Sequence, residues 1–175
     1  MANYQKLIPF IKQWEGGFIY HPNDPGGATM QGITLQTYAR YCRDNNLPPP
    51  TVTSLRKLSD ADWIAIFLTY YWRACRADAI LSEKVAYVLV DWYWCSGTVA
   101  VRELQLLVDT LPDGVVGPQT LRRMEQYNGV ALAMSLLEMR KLFLLRLCNR
   151  NKELLPFRRG WLNRVEALRQ YLHTL

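Results

Sequence analysis

Histidine is almost missing from this sequence. His21 and His173 are the only two in 175 residues. That leaves poor material for a serine–histidine triad, a cysteine–histidine dyad or a histidine metal centre. The four cysteines, Cys42, Cys75, Cys95 and Cys148, form no C-x-x-C pair and show no Cys/His spacing of a zinc site. Three of them lie in apolar helical surroundings, so they read as reduced core residues and not as a disulfide framework. No metal and no cofactor is expected. No apolar run approaches the roughly 18 residues a membrane-spanning helix needs, so stable membrane insertion is not expected. The opening MANYQKLIPFIKQWEGG has no continuous apolar stretch and no small-residue cleavage site. It does not read as a signal peptide. The chain is expected to be made in the cytoplasm and to reach any outside target by a separate route.

What is present is a rich core composition. Half of the residues are hydrophobic and 12% are aromatic, with six Trp and ten Tyr, which is ample for a packed domain and argues against disorder. A surplus of aromatics also suits a groove that stacks on sugar rings. The net charge is +6, and much of it falls late, at Arg140, Lys141, Arg146, Arg150, Lys152, Arg158, Arg159, Arg164 and Arg169. Such a balance fits an anionic partner or a set of solvated helix faces. A nucleic-acid partner finds no support, because neither a helix-turn-helix spacing nor an RNP-like motif is present.

Apolar periodicity predicts a helix over 4–15, carrying Leu7, Ile8, Ile11 and Trp14 on one face. The turn chemistry of His21-Pro22-Asn23-Asp24-Pro25-Gly26-Gly27 follows, and short extended pieces at Phe18–Tyr20 and Met30–Thr34 form a small β-hairpin across it. Further helices are expected at 35–46, 60–72 with Ser59 as N-cap, 83–96, 98–109, from Pro118, 130–150 and 156–173. The centre of the 83–96 helix is apolar nearly all round, which marks it as buried. Pro48-Pro49-Pro50 forces a loop. Asp113-Gly114-Val115-Val116-Gly117-Pro118 reads as turn geometry, with Asp113 capping it. The fold class is mainly α with one small β element.

The segment Trp14-Glu15-Gly16-Gly17-Phe18 stands out. Glu15 ends the first helix, where the helix dipole disfavours a negative charge, and Trp14 and Phe18 would shield it from water. Both effects favour the protonated acid, the form a general acid needs. Gly16 and Gly17 remove bulk beside it, so a polymer can approach the backbone. Asp24, in a polar turn, stays ionised. One protonated and one ionised carboxylate are the ingredients of glycoside hydrolysis.

The run Glu15–Thr34, EGGFIYHPNDPGGATMQGIT, resembles the signature of glycoside hydrolase family 108, a family of lysozyme-like N-acetylmuramidases. Asp91-Trp92-Tyr93-Trp94-Cys95-Ser96-Gly97, Leu104-Gln105, Asp113–Leu121 and Phe157–Val165 resemble the family's companion module, a predicted peptidoglycan-binding domain. The resemblance implies a lysozyme-like catalytic region over 1–94, with a helical peptidoglycan-binding region over 95–175 packed against it. It implies a monomeric, bacteriolytic, endolysin-type enzyme that cleaves the β-1,4 bond after N-acetylmuramic acid. Glu15 is its implied acid. A wider similarity to phage-type lysozymes assigns Asp24 to orienting the attacking water and Thr29 to holding that water or the acetamido sugar. A distant second carboxylate leaves room for water, which favours inversion.

Gly16, Gly17, Phe18, Thr34, Asp91 and Trp94 are the expected substrate-binding positions. Asp91 reads equally as a structural carboxylate at a helix end, and Trp92, Trp94 and Trp161 as core or as sugar platforms. Two residues depart from the family pattern: Phe18 stands where Tyr is usual, and Cys95 where Asn is expected. The alternatives are a weakly active binding or secretion-accessory protein of the same fold, and a lytic transglycosylase.

Overall fold

The structure, a computed structural model, describes residues 2–20 and 27–175. Among the described residues it is mainly helical, with nine α-helices and one three-stranded antiparallel sheet. Among the described residues no helix is long and apolar enough to cross a membrane. The chain divides into two compact units, Gln5–Tyr70 and Met1–Tyr4 with Tyr71–Leu175.

In the Gln5–Tyr70 unit, α1 (Tyr4–Trp14) leads into β1 (Phe18–Ile19). The second expected extended piece is itself folded back. It forms β2 (Thr29–Met30) and β3 (Ile33–Thr34), turned at Gln31 and Gly32, both with positive φ. Glycine is at home there. The result is a three-stranded sheet where a two-stranded hairpin is expected. Helix α2 (Leu35–Asp44) starts under a Thr34 N-cap. A short α3 (Val52–Arg56), outside the expected set, follows the prolines. Thr51 and Ser54 close a reciprocal capping box on it, which offsets the weakness of so short a helix. Then α4 (Asp60–Phe67), capped by Ser59, passes into a π-helical turn at Leu68–Trp72.

Helices α5 (Glu83–Ser96), α6 (Thr98–Leu107), α7 (Pro118–Met124), α8 (Gly129–Arg150) and α9 (Leu155–His173) form the other unit. Every residue of α5 from Val85 to Trp92 is buried, as its unbroken apolar centre requires. It packs on α6 and α8, and α8 packs on α9. The unit boundary therefore falls at Tyr70/Tyr71, ahead of α5, because α5 takes its cover from the helices that follow it. Gly97 joins α5 to α6 at φ 59° and ψ −141°, a backbone region that essentially only glycine tolerates.

One buried charge cluster crosses this unit. Asp91 on α5 is fully buried. Its Oδ2 accepts from Arg140 Nη1 of α8 at 2.5 Å, and its Oδ1 accepts from Arg164 Nη2 of α9 at 2.7 Å. Burial by itself raises the Asp91 carboxyl, but the Arg140 and Arg164 guanidinium groups outweigh it and hold the carboxyl below its usual range. Two of the late arginines are thus core residues and not surface charge.

A second polar hub explains the 113–118 turn. Buried Gln105 accepts from the Gly114 N–H at 2.8 Å, while its amide nitrogen reaches Asp113 Oδ1 at 2.7 Å and the Val115 carbonyl at 3.0 Å. Asp113 in turn accepts from the Val115 N–H at 2.8 Å.

Two outcomes are expected. A fragment ending at residue 94 strips α5 of its cover and Asp91 of both arginines. It should show no cooperative thermal or urea transition, whereas the full chain should. Asp91→Asn leaves two buried guanidinium groups without their counter-charge and should lower the unfolding free energy at pH 7 by about 3–5 kcal/mol. Because the folded-state pKa lies below the unfolded value of about 3.9, this contribution is complete above that value and is lost as pH falls through the depressed one. Urea titrations of wild type and variant should therefore diverge at neutral pH and converge in acid.

Candidate active site

Glu15 follows the last residue of α1 and is half-buried. Its N–H donates to the Lys12 carbonyl at 3.2 Å, which closes the helix end. Lys12 anchors that end twice. Its ammonium donates to Asp60 at 2.6 Å and lies 4.8 Å from the centre of the Trp63 ring. The buried Trp63 indole then donates to the Gln31 carbonyl at 3.0 Å, pinning the β2–β3 turn. One chain of contacts therefore runs from the Glu15 backbone through Lys12 and Trp63 to the sheet that carries Thr29. Sequence reasoning missed this brace. Its signal was present, since Lys12 stands among apolar residues and Asp60 in the first turn of α4, but their pairing is a tertiary matter.

Between Glu15 and β1 run Gly16 and Gly17, both exposed. Neither has a left-handed φ. A Cβ at Gly17 would meet no described atom within 4 Å, and one at Gly16 would make only ordinary contact with Ile19 at 3.4 Å. Neither backbone conformation nor packing against the described residues explains the glycine pair. Its effect is to leave the backbone beside Glu15 open to the outside.

The sheet register sets the remaining residues. Ile19 pairs with Thr29, and Thr29 with Thr34. Thr29 and Thr34 therefore sit side by side on one face, and Phe18, Met30 and buried Ile33 form the other row. Both threonines are half-buried. The Thr34 hydroxyl accepts from the Thr37 N–H at 3.0 Å, so it is committed to capping α2. Phe18 is half-buried, with the Arg56 guanidinium 5.3 Å from its ring centre. Asp24 lies outside the described residues, as does most of the expected turn.

Asp91 does not face a ligand. Its side chain is fully buried within α5 and both oxygens are bound by arginines, so it joins helices and does not cap a helix end as expected. Trp94 is half-buried, with its ring 4.4 Å from that of Tyr71, whereas Trp92 is wholly core. Cys95 is the exception among the cysteines. Cys42, Cys75 and Cys148 are buried and all four are free thiols, but Cys95 is exposed and accepts from Arg140 Nη2 at 3.3 Å. The amide of an Asn there would offer the same guanidinium an oxygen. Among the described residues no group of three His, Cys, Asp or Glu gathers to hold a metal ion.

A half-buried carboxyl, braced at a helix end beside open backbone, is suited to proton transfer to a polymer lying along it. The family model described as Glycosyl hydrolase 108 matches residues 8–97, and the one described as Predicted Peptidoglycan domain matches residues 99–166. No curated protein sequence matches. Among solved structures, that described as Brucella abortus SagA aligns over 96% of this chain and 92% of its own, with a TM-score of 0.81 and 28% sequence identity. The fold is the lysozyme-like one. With the first model covering about half of the chain and the second most of the remainder, the chain belongs to the Glycosyl hydrolase 108 family and is a peptidoglycan hydrolase.

Proposed function

We propose that the protein is an N-acetylmuramidase in which Glu15 is the general acid. Glu15 protonates the glycosidic oxygen between N-acetylmuramic acid and N-acetylglucosamine. Asp24 activates a water on the opposite face of the sugar, Thr29 holds that water or the acetamido group, and the product forms with inversion. The observation that supports this most is the pairing of the braced Glu15 with two exposed glycines that no packing within the described residues demands. A glycan strand running over Gly16 and Gly17 brings its glycosidic oxygen to the carboxyl. The basic surface draws the enzyme to the anionic wall. The enzyme acts there as a monomer.

Mass analysis of fragments released from purified peptidoglycan tests the reaction. New reducing ends on N-acetylmuramic acid are expected, while anhydro-muramic products would make the enzyme a lytic transglycosylase. Glu15→Gln keeps the side-chain shape but has no proton to give. It should lower turnover by about 10²–10⁴-fold with an unchanged melting temperature. Asp24→Asn should leave measurable residual activity, because water still attacks an oxocarbenium-like centre once the leaving group is protonated. Wild-type turnover by Glu15→Gln would remove the acid assignment.

Gly17→Ala separates the two uses of glycine. With an ordinary φ and no described neighbour within 4 Å, the methyl group should leave stability unchanged or raise it by about 0.4–1 kcal/mol. On peptidoglycan it should cost roughly tenfold or more in activity, by displacing the strand from Glu15. Full activity with unchanged stability would mean that nothing passes close to that backbone.

A further inference from the structure

The start of α9 carries aromatic surface that the fold leaves uncovered. Phe157 is 57% exposed. Trp161, one turn on, is half-exposed, and its ring stacks on that of Phe157 with centroids 5.8 Å apart and planes 22° apart. A contiguous exposed aromatic pair is a candidate binding surface. Gly160 sits on the same face, three residues after Phe157. Glycine is among the least favourable residues in a helix interior, yet Gly160 is exposed and a Cβ there would meet nothing within 4 Å. As at Gly17, neither backbone nor packing against the described residues accounts for the missing side chain.

The charges beside this face point the same way. Of the late cations, Arg140 and Arg164 turn inward to Asp91. Arg169 pairs with Glu138 and Glu166, and Arg146 lies 3.7 Å from Glu103. Arg158 and Arg159 are exposed and pair with no carboxylate among the described residues. Arg158 and Arg159 are thus unmatched guanidinium groups next to the aromatic pair.

We propose that this face of α9, built from Phe157, Gly160 and Trp161 and flanked by Arg158 and Arg159, is a binding platform for a carboxylate-bearing glycan strand. The inference rests on the peptidoglycan reading above and gives its wall-binding half a location. Sugar rings present flat C–H faces that stack on aromatic rings. The carboxylates of the lactyl ethers and stem peptides suit the planar donors of arginine. Gly160 lets a pyranose ring settle against the helix backbone. A docking site for lipid would favour a bulky apolar residue at 160, which could enter the acyl region.

Co-sedimentation with purified sacculi in the cold, where the strands stay intact, tests this. Wild-type protein should pellet with sacculi. Phe157→Ala should weaken binding about tenfold. Gly160→Ala should weaken it as well while melting at the same or a higher temperature, an outcome that a merely structural glycine would not produce. Replacing Arg158 and Arg159 together by Gln should weaken binding and flatten its dependence on salt. Flotation with phosphatidylglycerol–phosphatidylcholine vesicles is the counter-test. Loss of vesicle binding by Phe157→Ala with sacculus binding intact would overturn the platform in favour of membrane docking. Unchanged pelleting by all three variants would overturn it while leaving the peptidoglycan reading in place. Failure of the wild type to pellet would overturn that reading too.

Discussion

A carboxylate removed from water and gripped by two guanidinium groups is the constraint on which the larger unit depends. Asp91, Arg140 and Arg164 come from α5, α8 and α9, so the central helix and the two long helices that follow it share one buried charge cluster. Such a cluster contributes little net stability compared with well-packed apolar residues, but losing one member is costly. Its geometric consequence is larger. Phe157 and Trp161 lie on the same helix as Arg164, within two turns of it, so the ion pair that docks α9 also fixes where its exposed aromatic face points.

Four glycines of this protein form two contrasting pairs. Gly97 and Gly114 have positive φ, and the chain cannot make its α5–α6 junction or its 113–118 turn without such residues. Gly17 and Gly160 have neither an unusual φ nor a described neighbour that a methyl group would strike. Seen in sequence, all four look alike. The structure separates those whose φ calls for glycine from those it only permits; Gly17 lies beside Glu15 and Gly160 beside the Phe157–Trp161 stack, while Gly117, equally unconstrained, precedes α7.

Some motifs of the second half are absorbed by packing. The turn beginning Asp113-Gly114 is recognisable from its residue types, but what holds it is Gln105, eight residues earlier, whose buried amide binds three points of the turn. The run Phe157–Val165 contains both the aromatic face and the Arg164 that binds Asp91. One motif thus serves the surface and the core along one stripe of a single helix, exposed at Phe157 and buried seven residues on at Arg164.

The sequence by itself determined the mainly helical class, the long helices, the Ser59 cap and the small β element. These follow from local periodicity, capping chemistry and turn residues, which act over a few residues at a time. It also singled out Glu15, because a carboxylate between an apolar helix end and paired glycines is unusual on local grounds alone. Only the tertiary structure decided that Asp91 anchors three helices, that Cys95 is exposed, and that Lys12, Asp60 and Trp63 brace the helix end that carries Glu15. It also decided that Trp92 is wholly buried whereas Trp161 is only half-buried. Those outcomes depend on which helix faces meet across tens of residues. Long-range pairing of a buried charge or an aromatic ring leaves no periodic trace in the chain that carries it.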